Sequence, residues 1–222
     1  RLGADPAHFV PRRLEEGYGL SMAALDRVLA EAKPSLFIAL DCGTNSKPEV
    51  DRLKAEGVDV IVVDHHTAKE ARAGCILVNP RVNDAPEAAW QSLCTAGLVF
   101  KLVHGLLKVL RLAGDERGTQ IQVKDYLDLA ALGTIADLVP LVAENRILAA
   151  HGLRALGEAR RPGVRALIAV SGMEPGGTLT SVDVSYRIGP RINASGRLAD
   201  ASLPLRLLLS DNVDDCLRDA AQ

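Results

Sequence analysis

The chain has 222 residues, with 26 Lys and Arg against 28 Asp and Glu, 48% apolar residues and only 3% aromatics. At roughly 150 residues per domain this is one large domain, or one and part of a second, able to fold without a disulfide or a structural metal. A net charge of −2 with 24% charged residues excludes a globally disordered chain, and no run of about 18 apolar residues is present to span a membrane.

In chain order, His8–Val10 reads as a short strand, and Ser21 to Ala32 as a helix with a serine N-cap. Ser35–Leu40 is a continuous apolar run ending in Asp41. Pro48 to Glu56 is a short amphipathic helix closed by Gly57. Val58–Val63 is a second, β-branched run ending in Asp64-His65-His66, and Ile76–Val78 a third, ending in Asn79-Pro80. Strand, helix, strand with near-continuous hydrophobic strands predicts an α/β fold: a buried parallel sheet flanked by helices.

Beyond Pro86 the pattern turns helical over 96–112, 123–132, 143–156 and 163–170. Gly114 to Gly118 reads as a charged loop and Gly172 to Thr180 as a linker. A last helix is expected from Ser202 or Leu203 to the end, with Pro204 in its first turn. The four cysteines form no Cys-x-x-Cys pair and read as reduced thiols of a cytoplasmic protein.

In an open parallel sheet, ligands bind outside the carboxyl ends of the strands. Two predicted strands end there in metal-capable groups, Asp41 and Asp64-His65-His66. Asp41 alone would also suit a helix cap or a turn. At a strand-to-loop turn, adjacent histidines can face one cavity, with Asp64 holding an imidazole in the right tautomer. Asp137 stands in an otherwise apolar run before Pro140. Such a carboxylate is either paired, bound to metal, or satisfied by backbone N–H groups at a helix end. Residues 154–197 carry seven arginines against three acids, and form either a solvated basic face or a phosphate-binding one. Within them, Arg187 to Arg197 reads as a glycine-bearing loop in which Arg191, Asn193, Ser195 and Arg197 would contact phosphate.

Together these segments resemble the DHH phosphoesterase superfamily, and within it the RecJ-type exonuclease branch. Asp64-His65-His66 is the naming motif. The narrower matches are Gly133–Leu141, Gly189–Leu198, Glu15–Leu20 and Ala96–Lys101. The resemblance implies a two-metal phosphodiesterase using Mn²⁺ or Mg²⁺ on single-stranded DNA in repair and recombination. Asp41, His65 and Asp137 would be metal ligands, with His66 near the scissile phosphate. Arg191, Asn193, Ser195 and Arg197 would hold DNA. Helicase and single-strand-binding protein partners follow from the family alone.

The resemblance also implies that residues 1–171 are the phosphoesterase core. Residues 172–222 would then be a DNA-contacting loop and a helix leading toward a further domain. The family's first Asp-x-Asp motif would precede Arg1, and its smaller domain and OB-fold would follow Gln222. The chain alone is therefore expected to be a weak or inactive nuclease. Two rival readings are another DHH phosphodiesterase, acting on nano-RNA or cyclic dinucleotides, and a non-catalytic single-strand-binding relative.

Overall fold

The computed structural model describes residues 2–69, 74–198 and 202–221, without the side chains of Arg13 and of residues 195–198. Helix α1 (Arg13–Glu16) precedes α2 (Met22–Glu31), whose first turn is capped by Ser21 Oγ accepting from the Ala24 N–H at 3.2 Å. Strand β1 (Leu36–Leu40), helix α3 (Lys47–Ala55), β2 (Asp59–Val63) and β3 (Ile76–Val78) follow. The sheet is parallel in the order β1-β2-β3, with Leu40 beside Val63 and Val63 beside Val78. The expected α/β fold is therefore present. His8–Val10 forms no strand, since three residues have no neighbouring strand to pair with.

Alternation along the strands decides which face each residue serves. Ala39, Val60 and Val62 pack with Leu25 of α2 and with Val50 and Leu53 of α3. Val63 faces the other way, onto Leu93, Leu98 and Leu148. Leu36, Ile38 and Leu40 of edge strand β1 stay about half exposed on that second face.

After α4 (Pro80–Asn83) the chain is helical: α5 (Thr95–Leu112), α6 (Arg117–Gln120), a 3₁₀ turn at Val123–Tyr126, α7 (Leu127–Ala136), α8 (Ala143–Gly157) and α9 (Pro162–Val170). Where the sequence predicts a charged loop, α6 supplies one helical turn after Glu116. Helix α7 is apolar on every side except for Asp128, which is paired with Arg161 at 2.7 Å, and Thr134, and is packed between α5 and α8. Two glycines set that spacing. A Cβ on Gly133 would lie 2.4 Å from Ala96 Cβ, and one on Gly152 would lie 2.3 Å from both Ala131 Cβ and the Leu127 carbonyl oxygen. Gly152→Ala is accordingly expected to lower stability by about 1–3 kcal/mol through overpacking, measured as a reduced urea midpoint at unchanged slope.

The C-terminal part departs most from expectation. Helix α10 (Ser181–Asp183), a π turn at Val184–Ile188 and α11 (Gly189–Leu198) run on without a break. Arg187 to Arg197 is thus helical and not a loop. Pro190 cannot donate to the carbonyl four residues back, and the wide turn just before it accommodates that loss. Gly189 serves a close approach: its Cβ would sit 3.3 Å from Ala136 Cβ. The single last helix is two, α12 (Leu203–Leu209) and α13 (Val213–Ala220), because Asn212 starts a new one by accepting from the Asp214 and Asp215 N–H groups. Side chains of α7, α8, α9, α12 and α13 share one core around Leu156, Ile168, Leu207 and Cys216. Among the described residues no helix is long and apolar enough to cross a membrane.

Candidate metal centre

The parallel register brings the ends of β1 and β2 side by side. The Asp41 N–H continues the ladder to the Val63 carbonyl, and the Asp64 N–H to the Val78 carbonyl, each at 3.0 Å. Asp41 then turns out of the strand at φ 63°, in the left-handed region that aspartate tolerates better than most residues. That turn leaves its carboxylate exposed above the sheet. Asp137 arrives from the opposite side as the C-cap of α7, and Leu138 after it is also left-handed, at φ 57°.

His65 lies between the two carboxylates. Its Nε2 is 3.4 Å from Asp41 Oδ1 and 3.4 Å from Asp137 Oδ2, yet among the described residues neither buried ring nitrogen makes a hydrogen bond. A buried polar atom without a partner costs about 1–3 kcal/mol. Asp137 is also unfavourable by itself, because a carboxylate at a helix C-terminus opposes the helix dipole. Burial, and then the Asp41 charge, push the Asp137 carboxyl up, against the pull of His65, His66 and Arg81. A cation between these groups would remove all three penalties. Asp41, His65 and His66 each offer a ligand atom, all within 4.8 Å of one another. Carboxylates suit Mn²⁺ or Mg²⁺, and the imidazole beside them favours the transition metal Mn²⁺ over Mg²⁺.

Asp64 supports the centre from beneath. It is buried, and its Oδ1 accepts from the His65 N–H at 2.8 Å, the His66 N–H at 3.3 Å and His66 Nδ1 at 2.7 Å. Its Oδ2 accepts from the Thr44 N–H at 3.1 Å. Burial works to raise this carboxyl, but the bonds from Thr44, His66 and His65 outweigh it, so it lies below the usual aspartate range. The imidazole that Asp64 orients is His66, not the expected metal ligand His65. The carboxylate can only accept, so Nδ1 carries the hydrogen and Nε2 is presented outward. The same bond raises the His66 pKa against burial, with help from the Asp64 and Asp41 charges.

The fold therefore gathers Asp41, Asp64, His65, His66 and Asp137. Arg191 and Asn193 are exposed on α11, whose first residue touches Ala136, the neighbour of Asp137. The side chains of Ser195 and Arg197 lie outside the described residues. Sequence reasoning missed Asn79, a buried hub that donates to Thr44 Oγ1 at 2.9 Å and to the His66 carbonyl at 2.8 Å. Asparagine at the carboxyl end of the third strand was the available signal.

Comparison with known proteins gives the family. The sequence profile of the DHH family, N-terminal domain, matches residues 1–134, more than half of the chain. The chain belongs to the DHH family. The DHH match takes in Asp41, His65 and His66 and stops just short of Asp137. Curated relatives extend it: the chain is 40% identical to the single-stranded-DNA-specific exonuclease RecJ of Salmonella typhimurium, over 96% of this chain and 38% of that protein. It is 38% identical to the RecJ of Thermus thermophilus, over 96% of this chain and 29% of the relative. It thus spans well under half the length of these DHH proteins. Among solved structures, exonuclease RecJ bound to manganese superposes with a TM-score of 0.79 at 34% identity, covering 96% of this chain and 51% of the other. RecJ of Thermus thermophilus in complex with Mn²⁺ gives 0.72 at 34% identity, covering 89% and 28%.

Proposed function

We propose that this chain is the metal-binding core of a single-stranded-DNA-specific 5′→3′ exonuclease of the RecJ type, a cytoplasmic enzyme of DNA repair and recombination. The observation that carries the reading is His65, buried between Asp41 and Asp137 with neither ring nitrogen hydrogen-bonded among the described residues. The similarity to RecJ enzymes over 96% of the chain supplies the substrate class.

Asp41, His65 and Asp137 would hold Mn²⁺ or Mg²⁺. The bound ions would neutralise the phosphate and lower the pKa of the attacking water. His66, kept protonated more readily by Asp64, offers an Nε2–H to an oxygen of the scissile phosphate. Water oxygen bonds to phosphorus and gives up a proton, the bond from phosphorus to the 3′ oxygen breaks, and that oxygen takes up one proton in return. A 5′-mononucleotide leaves. On helical α11, Arg191 with Ser195 or, on the opposite face, Asn193 with Arg197 would contact the strand's phosphates, since residues two apart on a helix do not share a face, and the full-length enzyme would work beside a helicase and a single-strand-binding protein. With seven aromatic residues in 222, grip comes mainly from backbone contacts and weakens with salt.

The test is product analysis with Mn²⁺ and excess protein on end-labelled single-stranded DNA, duplex DNA, dinucleotides and pyrophosphate. Slow release of 5′-mononucleotides from single strands, abolished by EDTA, is the expected result. A preference for dinucleotides or pyrophosphate would overturn the reading in favour of another DHH phosphodiesterase. Metal-independent binding of single strands without hydrolysis would favour a non-catalytic relative.

A further inference from the structure

Asn79 is 1% exposed, and every polar group of its side chain is used. Its Nδ2 donates to Thr44 in the loop after β1 and to the His66 carbonyl in the loop after β2. Its Oδ1 accepts from the Arg81 N–H at 3.0 Å in the loop after β3, and its own N–H donates to Asn83 Oδ1 at 3.0 Å. One buried amide thus ties together the three loops at the carboxyl edge of the sheet. A second tie reinforces the first two loops, where Asn45 donates to the Thr67 carbonyl at 3.0 Å and accepts from the Lys69 N–H at 2.8 Å.

The residue this hub fixes at its outer end is Arg81. Its backbone is pinned by Asn79 and by the preceding proline, which opens α4. Its side chain is exposed and, among the described residues, has no carboxylate partner. It nonetheless starts beside the metal centre, because the one Asn79 amide that holds the Arg81 N–H at 3.0 Å also holds the His66 carbonyl at 2.8 Å. A guanidinium held at the rim of a carboxylate-histidine centre, and not consumed by an ion pair, is suited to a phosphate oxygen.

We infer that Asn79 and Arg81 form a phosphate clamp, in which Arg81 contacts a phosphate of the bound strand and Asn79 is the positioning residue that sets Arg81 and His66 relative to one another. The inference rests on the phosphodiesterase reading above. Lysine would keep the charge but lose the planar fork, so Arg81→Lys should restore only part of what Arg81→Ala removes.

The experiment is fluorescence anisotropy of a 5′-phosphorylated oligothymidylate with the full 222-residue chain and Mn²⁺ across a salt series. Arg81→Ala is expected to weaken binding roughly tenfold and to reduce the magnitude of the logarithmic salt slope by about 0.7, one single-strand phosphate contact. Being exposed, Arg81 can be truncated without loss of packing, and unchanged melting of the variant verifies this. Asn79→Ala should weaken binding to a similar degree, with the double variant no weaker than Asn79→Ala alone, because the two act as one unit. Additive losses would reduce Asn79 to a purely structural part and overturn the coupling. Unchanged affinity and salt slope in Arg81→Ala, with the wild type binding well, would overturn the clamp and leave the nuclease reading standing. A wild-type chain that shows no Mn²⁺-dependent binding would overturn both.

Discussion

Replacing His65 by alanine is expected to remove Mn²⁺ binding and hydrolysis together. His65 is the buried nitrogen donor between two carboxylates; among the described residues nothing hydrogen-bonds its ring, which packs tilted against the His66 ring with centroids 4.7 Å apart. A metal centre supplies several kcal/mol of charge stabilisation to the reaction. At 1.36 kcal/mol per tenfold, its loss corresponds to a fall of roughly 10³ in kcat/KM. Stability gives a second readout. Saturating Mn²⁺ at about a hundred times its Kd should stabilise the wild type by about 2.7 kcal/mol, and the variant not at all.

Asp41→Asn sharpens the same prediction, because it moves the two quantities in opposite directions. The Asp41 charge pushes the Asp137 carboxyl up, so without metal the two acids repel. Asparagine tolerates the left-handed φ at this position and carries no charge. The metal-free variant should therefore melt higher than the metal-free wild type while losing Mn²⁺ affinity and activity. Titration calorimetry with Mn²⁺ and thermal melting, with and without the ion, separate the two effects. Wild-type Mn²⁺ affinity in either variant would remove the metal centre from this site.

The second large effect is expected at Asp64. Truncation to alanine leaves the buried Thr44 and His65 N–H groups without acceptors, at about 1–3 kcal/mol each, for a total of roughly 2–6 kcal/mol. It also frees the His66 ring, and loss of such a supporting partner typically lowers activity about 10–100-fold. Asp64→Asn keeps the size and one acceptor but turns an amide toward the Thr44 N–H, so its loss should be intermediate.

The pH dependence of stability carries the same signature. The Asp64 carboxyl is lowered in the fold, so its contribution is present above the ordinary aspartate value near 3.8 and lost as pH falls through the lower folded value. His66 is raised, so its contribution is complete below its ordinary value near 6.5 and lost as pH rises through the higher folded value. The gap in stability between wild type and Asp64→Asn should therefore be widest between these limits and narrow on both sides. A gap independent of pH from acid to alkaline conditions would show that the Asp64–His66 bond does not contribute.

Much of this fold is legible in the amino-acid order alone. The runs ending at Leu40, Val63 and Val78 are almost continuously apolar, the second and third mostly β-branched, which is what a buried parallel strand requires, and they point to the ends where Asp41, Asp64, His65 and His66 sit. Ser21 marks the start of α2 by its own capping bond, and Gly57, at φ 78°, marks the end of α3. These are local features, decided within one turn or one strand, and so they survive a reading without coordinates.

Contacts between distant segments decided the rest. Glycine count argued for a loop at Arg187 to Arg197, but Gly189 is there to let α11 touch Ala136. That approach lies outside what neighbouring residues can report. The break at Ser210–Asn212 is the exception and a local one: Asn212 accepts from the Asp214 and Asp215 N–H groups just as Ser21 accepts from that of Ala24. The hub role of Asn79 exists only once three loops meet around it. Most of all, Asp137 reaches His65 because α7 is clamped between α5 and α8 at Gly133 and Gly152, where glycine admits an approach closer than any side chain allows. The sequence by itself determined the three paired strands, the Ser21 and Gly57 caps and the metal-capable residues at the strand ends, since those rest on local periodicity and residue chemistry. Tertiary packing determined that an acid at a helix end and one at a strand end converge on one imidazole, because only helix-to-helix spacing and strand register fix that distance.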